Sequence, residues 1–224
     1  MKTSNKVLFG MMSAIVLYFS MAFIELRIKG DYKHTDVVTD SAALPAFNHL
    51  VLKGLDQRIY LEFAANPGIE TTARRENALS GLHYEIQGDT LVLDDLGLSA
   101  DDQGAFTVHV TNSLRSIASV SSYYSIGNLR LDSLTIYQSG GRVWINQMSD
   151  MDQLVLKVAD GAEFDTFEGS IKHLKLSIDD GNVELRSPVG VLTGSMENGA
   201  YLSVPSVSDF QFKKDDSSRM RMYQ

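Results

Sequence analysis

The sequence predicts an all-β protein, a right-handed parallel β-helix (β-solenoid) with about twenty residues per coil, behind one N-terminal transmembrane helix. Three observations lead to this fold class. Apolar residues recur at a fixed interval, short segments alternate apolar and polar residues between Gly, Asp, Asn and Ser, and one uncharged apolar run lies near the N-terminus. Period-two alternation with such punctuation is typical of strands, and a long fixed period is typical of a solenoid.

The apolar run lies in the N-terminal segment, residues 1–29. Residues 7–24 contain no charged side chain, and as a helix they would span about 27 Å, close to the thickness of a bilayer core. We therefore predict an uncleaved single-pass anchor. A signal peptide cut after Ala22 is the main alternative, and a buried helix of a soluble domain is a third. Lys2 and Lys6 on one flank nearly balance Arg27, Lys29 and Lys33 on the other. The short N-terminal tail favours a cytoplasmic N-terminus, which places the following domain outside the inner membrane, in the periplasm or the extracellular space.

The repeat is clearest in three consecutive segments that begin near residues 131, 151 and 171. Stacking such segments as coils, at a strand spacing of about 4.8 Å, would bury one column of inward residues on the next. Residues between the inward positions, such as Thr135, Val155 and Lys175, should face outward. The columns are Leu134, Leu154 and Leu174; Ile136, Leu156 and Leu176; Gly141, Gly161 and Gly181; and Val143 and Ile145, which recur as Val183 and Leu185, with Ala162 and Phe164 in a middle segment that slips by one.

Two further segments extend the pattern. A weaker segment from Val191 keeps Met196 but has Gly194 in the leucine column. Far upstream, a segment has the same relative offsets as the one that begins at residue 131. Its apolar residues are Phe47, Leu50, Leu52, Ile59 and Leu61.

The alternative architecture for the whole pattern is an ordinary β-sandwich with regular hairpins.

These patterns divide the chain into four parts. Residues 30–46 are polar and are interpreted as a linker, and residues 47–208 as the solenoid domain. Residues 209–224 mix basic and acidic side chains and are interpreted as a polar, frayed C-terminal tail.

Composition excludes several classes of function. The chain has no cysteine, so disulfides, thiol catalysis and cysteine-ligated zinc are excluded. Its formal charge of -8 is opposite in sign to what nucleic-acid binding by counterion release needs, so no nucleic-acid partner is expected. No phosphate-binding loop, dinucleotide fingerprint or nucleophile elbow is present, so we predict no cofactor.

Candidate catalytic and metal-binding residues are few. The histidines are scattered without metal-ligand spacing. Adjacent carboxylates occur at Asp94–Asp95, Asp101–Asp102 and Asp179–Asp180, but neighbours on a strand point to opposite faces, which does not suit a shared site. Asp160-Gly161 and Asp180-Gly181 could form a calcium ladder, although turn formation explains them better. We therefore predict no catalytic and no metal site. The histidines are His34, His49, His83, His109 and His173.

The candidate contact surface centres on Trp144, the only tryptophan. It lies between predicted inward residues, so it should face out beside Arg142. The outward neighbours one and two coils later are Glu163 or Phe164, and then Glu184. An exposed aromatic beside charged groups suits contact with a protein or a glycan, whereas a cross-strand aromatic that covers the sheet is the structural alternative.

The stretch from Phe47 to Asp95 resembles the head-GIN domain family of auto-transporter adhesins, exported β-solenoid proteins of Gram-negative envelopes. No Gly-Ile-Asn tripeptide is present; Gly127-Asn128 after Ile126 is the nearest match. The resemblance implies a surface or periplasmic role and brings no catalytic residues. It is carried by Phe47, Leu50, Leu52, Gly54, Ile59 and Leu61, by the polar stretch 74–79, and by Leu82, Tyr84, Ile86, Gly88-Asp89, Leu91 and Leu93.

Together these observations predict a membrane-anchored envelope β-solenoid with an adhesin-like or scaffold role and no catalytic activity. One alternative is a carbohydrate-binding or polysaccharide-degrading β-helix protein. The other is a self-assembling membrane scaffold, similar to bactofilins, in which the end coils of separate molecules pair, since open solenoid ends invite pairing.

Overall fold

The computed structural model describes residues 15–21, 38–55, 57–73, 78–95, 105–127, 130–147, 150–205 and 207–223. The chain divides into two compact units, residues 1–37 and residues 38–224, which are treated separately. In the first unit residues 15–21 are helical. No described helix has both the length and the apolar character needed to cross a bilayer. The rest of the predicted anchor, residues 7–14 and 22–24, lies outside the described residues, so the anchor stays a prediction.

The second unit is built almost entirely from strands, as the alternating pattern predicts. One short 3-10 helix, Ala78–Gly81, interrupts them. The strands are β1 (Val38–Ala43), β2 (His49–Lys53), β3 (Ile59–Phe63), β4 (Gly68–Ala73), β5 (His83–Gln87), β6 (Thr90–Asp95), β7 (Ala105–Val110), β8 (Ser116–Gly127), β9 (Ser133–Ile145), β10 (Met151–Ala159), β11 (Glu163–Thr166), β12 (Ile171–Asp179), β13 (Asn182–Leu185), β14 (Val189–Glu197), β15 (Tyr201–Pro205), β16 (Asp209–Lys214) and β17 (Arg219–Tyr223).

The strands form two parallel ladders, and the chain passes from one to the other in every coil. The first ladder runs in the order β6, β2, β8, β9, β10, β12, β14 and β16. The second runs β7, β3, β8, β9, β11, β13, β15 and β17. The long strands β8 and β9 supply both ladders, one half to each. This arrangement is a β-solenoid and confirms the predicted fold class, while the right-handed sense stays a prediction.

The predicted stacking of leucines is confirmed. Leu134, Leu154 and Leu174 are each in register with the next and are at most 2 % exposed. Residues at the intervening positions face outward, as strand alternation requires. The slip in the middle coil is also present, because Phe164 pairs with Val143 on one side and Val183 on the other. Each inward residue thus buries its apolar surface between two neighbours of the same column.

The register departs from a strict period in two places. The coil after Leu174 is shorter, so its partner is Leu192, whereas Gly194 falls opposite Leu176. Gly194 has a φ of +142°, and a Cβ there would lie 1.7 Å from the carbonyl oxygen of Leu176. Upstream, Leu50 aligns through Ile117 with Ile136 and so joins a different column from the one the offsets indicate. Both shifts preserve the alternation of faces, since each moves the strand by two residues.

The N-terminal end of the solenoid does not follow chain order. The coil of β2 and β3 lies between the coil of β6 and β7 on one side and β8 on the other. Antiparallel strands cover the outer edge, with β5 on β6, β4 on β7 and β1 on β4. The edges of β6 and β7 are thereby paired, and β5 and β1 become the outermost described strands at this end.

The predicted boundaries need two corrections. The segment interpreted as a linker up to residue 46 contains β1, and Leu44 at its end is buried. The segment interpreted as a frayed tail forms β16 and β17, the last strands of the two ladders. In β16 the outward polar side chains alternate with Phe210 and Phe212, which pack against the core.

Candidate functional site

The outer face of the second ladder carries the predicted contact residues. Trp144 is half-buried and faces outward, whereas Val143 and Ile145 on either side of it are at most 1 % exposed. The alternation that the sequence predicts at this position is therefore present. The outward column that contains Trp144 comprises Tyr60, Ser125, Trp144, Asp165, Glu184, Ser203 and Arg221.

Two arginines pack against the Trp144 ring. The guanidinium carbon of Arg142 lies 4.9 Å from the ring centroid, and that of Arg58 lies 5.6 Å from it. A cation at this distance is attracted to the negative face of the ring. The two guanidinium groups also restrict access, so a sugar ring that stacked on Trp144 would have to displace one of them.

Arg142 is held in place by two carboxylates of the next strand. Its Nε and Nη2 donate to Oδ2 of Asp165 at 3.0 and 2.7 Å, and its Nη1 lies 3.1 Å from Oε2 of Glu163. The Asp165 side chain is only 7 % exposed, whereas that of Arg142 is 39 % exposed. The hydrogen bond to Asp165 raises the pKa of Arg142 above its usual value. The result is a fixed guanidinium with one side against an indole and part of its edge in solvent.

Glu184 continues the same surface one coil later. It is in register with Asp165, and its Oε1 lies 3.4 Å from Nη2 of Arg186. The Arg186 guanidinium in turn lies 4.6 Å from the ring of Phe167, which is 38 % exposed. Trp144, Arg142 and Glu184 therefore share one face, as the sequence predicts, in an alternation of aromatic, cationic and acidic groups.

Sequence reasoning missed two members of this surface and misplaced a third. Asp165, rather than Glu163 or Phe164, follows Trp144 in its column, and Phe164 points into the core at 1 % exposure. The reason is the one-residue slip in this coil, which inverts the faces relative to a twenty-residue step. Arg58 reaches Trp144 from a distant part of the sequence, and no local motif marks that approach.

The Asp-Gly pairs form turns. Asp160 and Asp180 have φ angles of +56° and +52°, a conformation that Asp and Asn tolerate better than most residues. Among the described residues, no group of three His, Asp or Glu side chains is placed to hold a metal ion.

The remaining titratable candidates lie apart. His83 contacts Asp94 at 2.9 Å on the surface, and Asp179 accepts a hydrogen bond from the Asn198 side chain. His49 bonds to Ser116, and His173 to the backbone of Asp152. The pair at residues 101–102 and His34 lie outside the described residues. His109 lies 3.6 Å from Glu70, and its buried Nδ1 has no hydrogen-bond partner among the described residues. The described histidines thus lie on separate strands.

A second surface feature lies on the first ladder. A shallow depression of about 300 Å³ is lined by small and apolar outward residues, among them Ala118, Val120 and Ala159. Tyr137 forms one wall, 42 % exposed, with the Lys157 ammonium 5.1 Å from its ring centroid. Lys157 and Asp179 also line the depression, so this face carries charged groups as well.

Three solved structures share the fold at low sequence identity. A protein described as a putative adhesin from Bacteroides fragilis is similar with a TM-score of 0.56 and 15% identity, covering 84% of this chain and 97% of that chain. A putative adhesin from Parabacteroides distasonis gives a TM-score of 0.54 and 12% identity over 84% and 93% of the two chains. A putative lipid-binding protein from the same species gives 0.51 and 11% over 84% and 96%.

Comparisons at the level of sequence give no match: neither a protein-family model nor a curated protein matches the chain. The structural similarities establish the fold alone, because two chains with identities this low can share an architecture and differ in function.

Proposed function

We propose that this chain is an adhesin-like interaction protein of the cell envelope that binds a protein partner through the outer face of the second ladder and catalyses no reaction. The observation that carries the proposal is the Arg142 guanidinium, fixed by Asp165 against Trp144. Tryptophan, tyrosine and arginine dominate the energetics of protein interfaces, and a preorganised side chain loses less entropy on binding. The adhesin descriptions of two structural neighbours agree with this role.

A protein partner suits this surface better than a glycan. Guanidinium groups occupy the approach to the Trp144 ring, while Tyr123 and Phe167 on the same ladder are 47 % and 38 % exposed. Mixed aromatic and charged groups of this kind are typical of the contact patches of protein interfaces.

Membership of the head-GIN family, the anchor over residues 7–24 and a domain outside the inner membrane belong to the same proposal. The uncharged apolar run supports the anchor, the short N-terminal tail supports the orientation, and the pattern over residues 47–95 supports the family. Mass spectrometry of the purified protein should give a chain that retains residues 1–22, and alkaline phosphatase fused after residue 224 should be active. A mature chain that begins at Phe23 would show cleavage instead.

The binding role is tested with immobilised fibronectin, type I collagen and mucin, together with an array of neutral and acidic oligosaccharides. We expect the full chain to bind at least one of the proteins, and Trp144→Ala to weaken that binding at least tenfold. Tyr137→Ala is the matched control, an exposed aromatic on the other ladder. Binding lost in the control alone would contradict the assigned face, and binding to oligosaccharides alone would favour the carbohydrate alternative.

A further inference from the structure

The strand edges at the two ends of the solenoid differ in kind. At the N-terminal end, antiparallel strands extend both ladders, so the outermost described strands are β5, which pairs with β6 alone, and β1, which pairs with β4 alone. At the C-terminal end, within the described part of the chain, β16 pairs with β14 alone and β17 pairs with β15 alone. The outer backbone N–H and C=O groups of β16 and β17 therefore have no strand partner among the described residues. An edge of this kind is a template for pairing with another strand.

Within the described residues, the apolar core is also incompletely covered at the C-terminal end. Leu192 and Leu202 in the preceding coil are 0 % exposed, whereas Phe210 and Met220, which stack on them, are only half-buried. Phe212 packs beside Phe210 with the two ring centroids 5.8 Å apart. Met222 on β17 is 47 % exposed. Each of these side chains has a core neighbour on one side, and further burial on the other side would be favourable.

The sequence of β16 is complementary to a second copy of itself. Asp209, Gln211 and Lys213 face outward, whereas Phe210 and Phe212 face the core. In an antiparallel pair centred on Gln211, Asp209 of each copy lies opposite Lys213 of the other. The same register sets Phe210 of each copy opposite Phe212 of the other. Opposite charges and aromatic pairs at directly facing positions both stabilise an antiparallel sheet.

Neighbouring registers lose this match. Centring the pair on Phe212 sets Asp209 opposite Asp215, with like charges facing each other, and leaves Lys213 opposite Gln211. Centring the pair between Gln211 and Phe212 would set Phe210 opposite Lys213. Core-facing side chains of one copy would then lie beside outward-facing side chains of the other. The charge pattern of β16 thus selects one register.

We propose that two copies of this chain pair β16 to β16 about a two-fold axis at Gln211, which closes the open end of each solenoid. The interface is isologous, with the same surface used by both partners. Because an isologous interface uses the same strand edge of both partners, the pairing is complete with two copies and gives a dimer. This partner surface is separate from the contact face around Trp144.

The test uses the absence of cysteine from the chain. Gln211→Cys in the full-length protein, purified in detergent, sets one thiol opposite its own copy, since facing residues have Cβ atoms about 4.5–5.5 Å apart. Mild oxidation should link more than half of the protein into a dimer on non-reducing electrophoresis, and reductant should reverse it. Thr193→Cys is the matched control, because it lies in the same outward column one coil inward, with strands on both sides. It should stay monomeric.

A charge exchange checks the register independently. In sedimentation velocity the unmodified chain should be a dimer, Asp209→Lys alone should be mostly monomeric, and Asp209→Lys combined with Lys213→Asp should be dimeric again. Equal cross-linking of the Thr193→Cys control, a monomeric parent chain, no recovery in the double variant, or oligomers that grow beyond a dimer with concentration would each overturn the proposal.

Discussion

Two nitrogens of Arg142 donate to one oxygen of Asp165 on the neighbouring strand, at 3.0 and 2.7 Å. The carboxylate is almost completely buried and the guanidinium is not. An arginine on an exposed sheet face ordinarily samples many rotamers, and here the second ladder fixes one of them beside Trp144.

Asp165→Ala should lower the free energy of unfolding by about 1.5–3 kcal/mol, because it removes hydrogen bonds to a charged group from a buried position. Glu163→Gln on the same strand should change it by less than about 1 kcal/mol, since Glu163 is 46 % exposed and its ion pair is screened by solvent. Urea denaturation measures both. Equal losses in the two variants would show that the buried carboxylate has no special role.

The fluorescence of Trp144, the only tryptophan, should be quenched both by iodide and by neutral acrylamide, because the ring is half-buried and faces outward. Two guanidinium groups cover part of the ring, and the charge of Arg142 is offset by Asp165 and Glu163. Arg58→Ser should raise the acrylamide quenching constant, because it uncovers part of the ring. Fluorescence that resists both quenchers would contradict an outward-facing ring.

Leu154→Ala should cost about 2–5 kcal/mol of unfolding free energy, because Leu154 is 0 % exposed and stacks between two other leucines. The adjacent Gln153 is exposed, and Gln153→Ala should stay within about 0.5 kcal/mol of the parent. Chemical denaturation of both variants checks the register. A Leu154→Ala variant as stable as the parent would exclude the stacked column.

Gly194→Ala should cost about 3 kcal/mol or more, or prevent folding. A methyl group there would lie 1.7 Å from the Leu176 carbonyl oxygen, and a φ of +142° is accessible almost only to glycine. Gly88→Ala is the control, since its added Cβ meets nothing within 4 Å and only the positive φ of +66° is unfavourable. Its expected cost is about 1–2 kcal/mol. Soluble yield and the denaturation midpoint distinguish the two.

Stability at acid pH should depend on Asp215. Hydrogen bonds from Ser218, from Ser217 and from the backbone amide of Asn198 hold the pKa of this carboxyl well below its usual value. A lowered pKa in the folded state means that the stabilisation is complete at neutral pH and is lost as pH falls below the ordinary value near 3.8. Asp215→Asn should therefore lower stability at pH 7 more than at pH 2.5, measured by urea denaturation. An identical loss at both pH values would contradict this.

The regular half of the fold is readable from the sequence because each coil repeats the chemistry of the one before it. Leu134, Leu154 and Leu174 identify a column without any knowledge of the structure, and strand alternation then places Trp144 outside. The register predicted from the period is wrong where a coil changes length, as it does before Leu192. A fixed period does not show which residues a shorter turn omits.

The N-terminal half and the details of the site are not readable in this way. The coil of β6 and β7 could pair with either edge of the coil of β2 and β3, and the apolar alternation within the strands is the same in both cases. The contact between Arg58 and Trp144 joins residues that no motif relates. The tail appeared polar because charged residues outnumber the apolar residues of β16 and β17 that complete the core.

The order of coils at the N-terminal end has a consequence for how the chain folds as it emerges from a ribosome or a membrane pore. His49 pairs with Ser116, 67 residues later, whereas each downstream coil meets its neighbour after roughly a third of that separation. Both partners of β2, the strands β6 and β8, nevertheless precede β9–β17 in the chain, so the first coil can be covered before the downstream coils emerge. We expect closure of its 41- and 67-residue separations to be slow, after which each downstream coil adds by a much shorter loop closure.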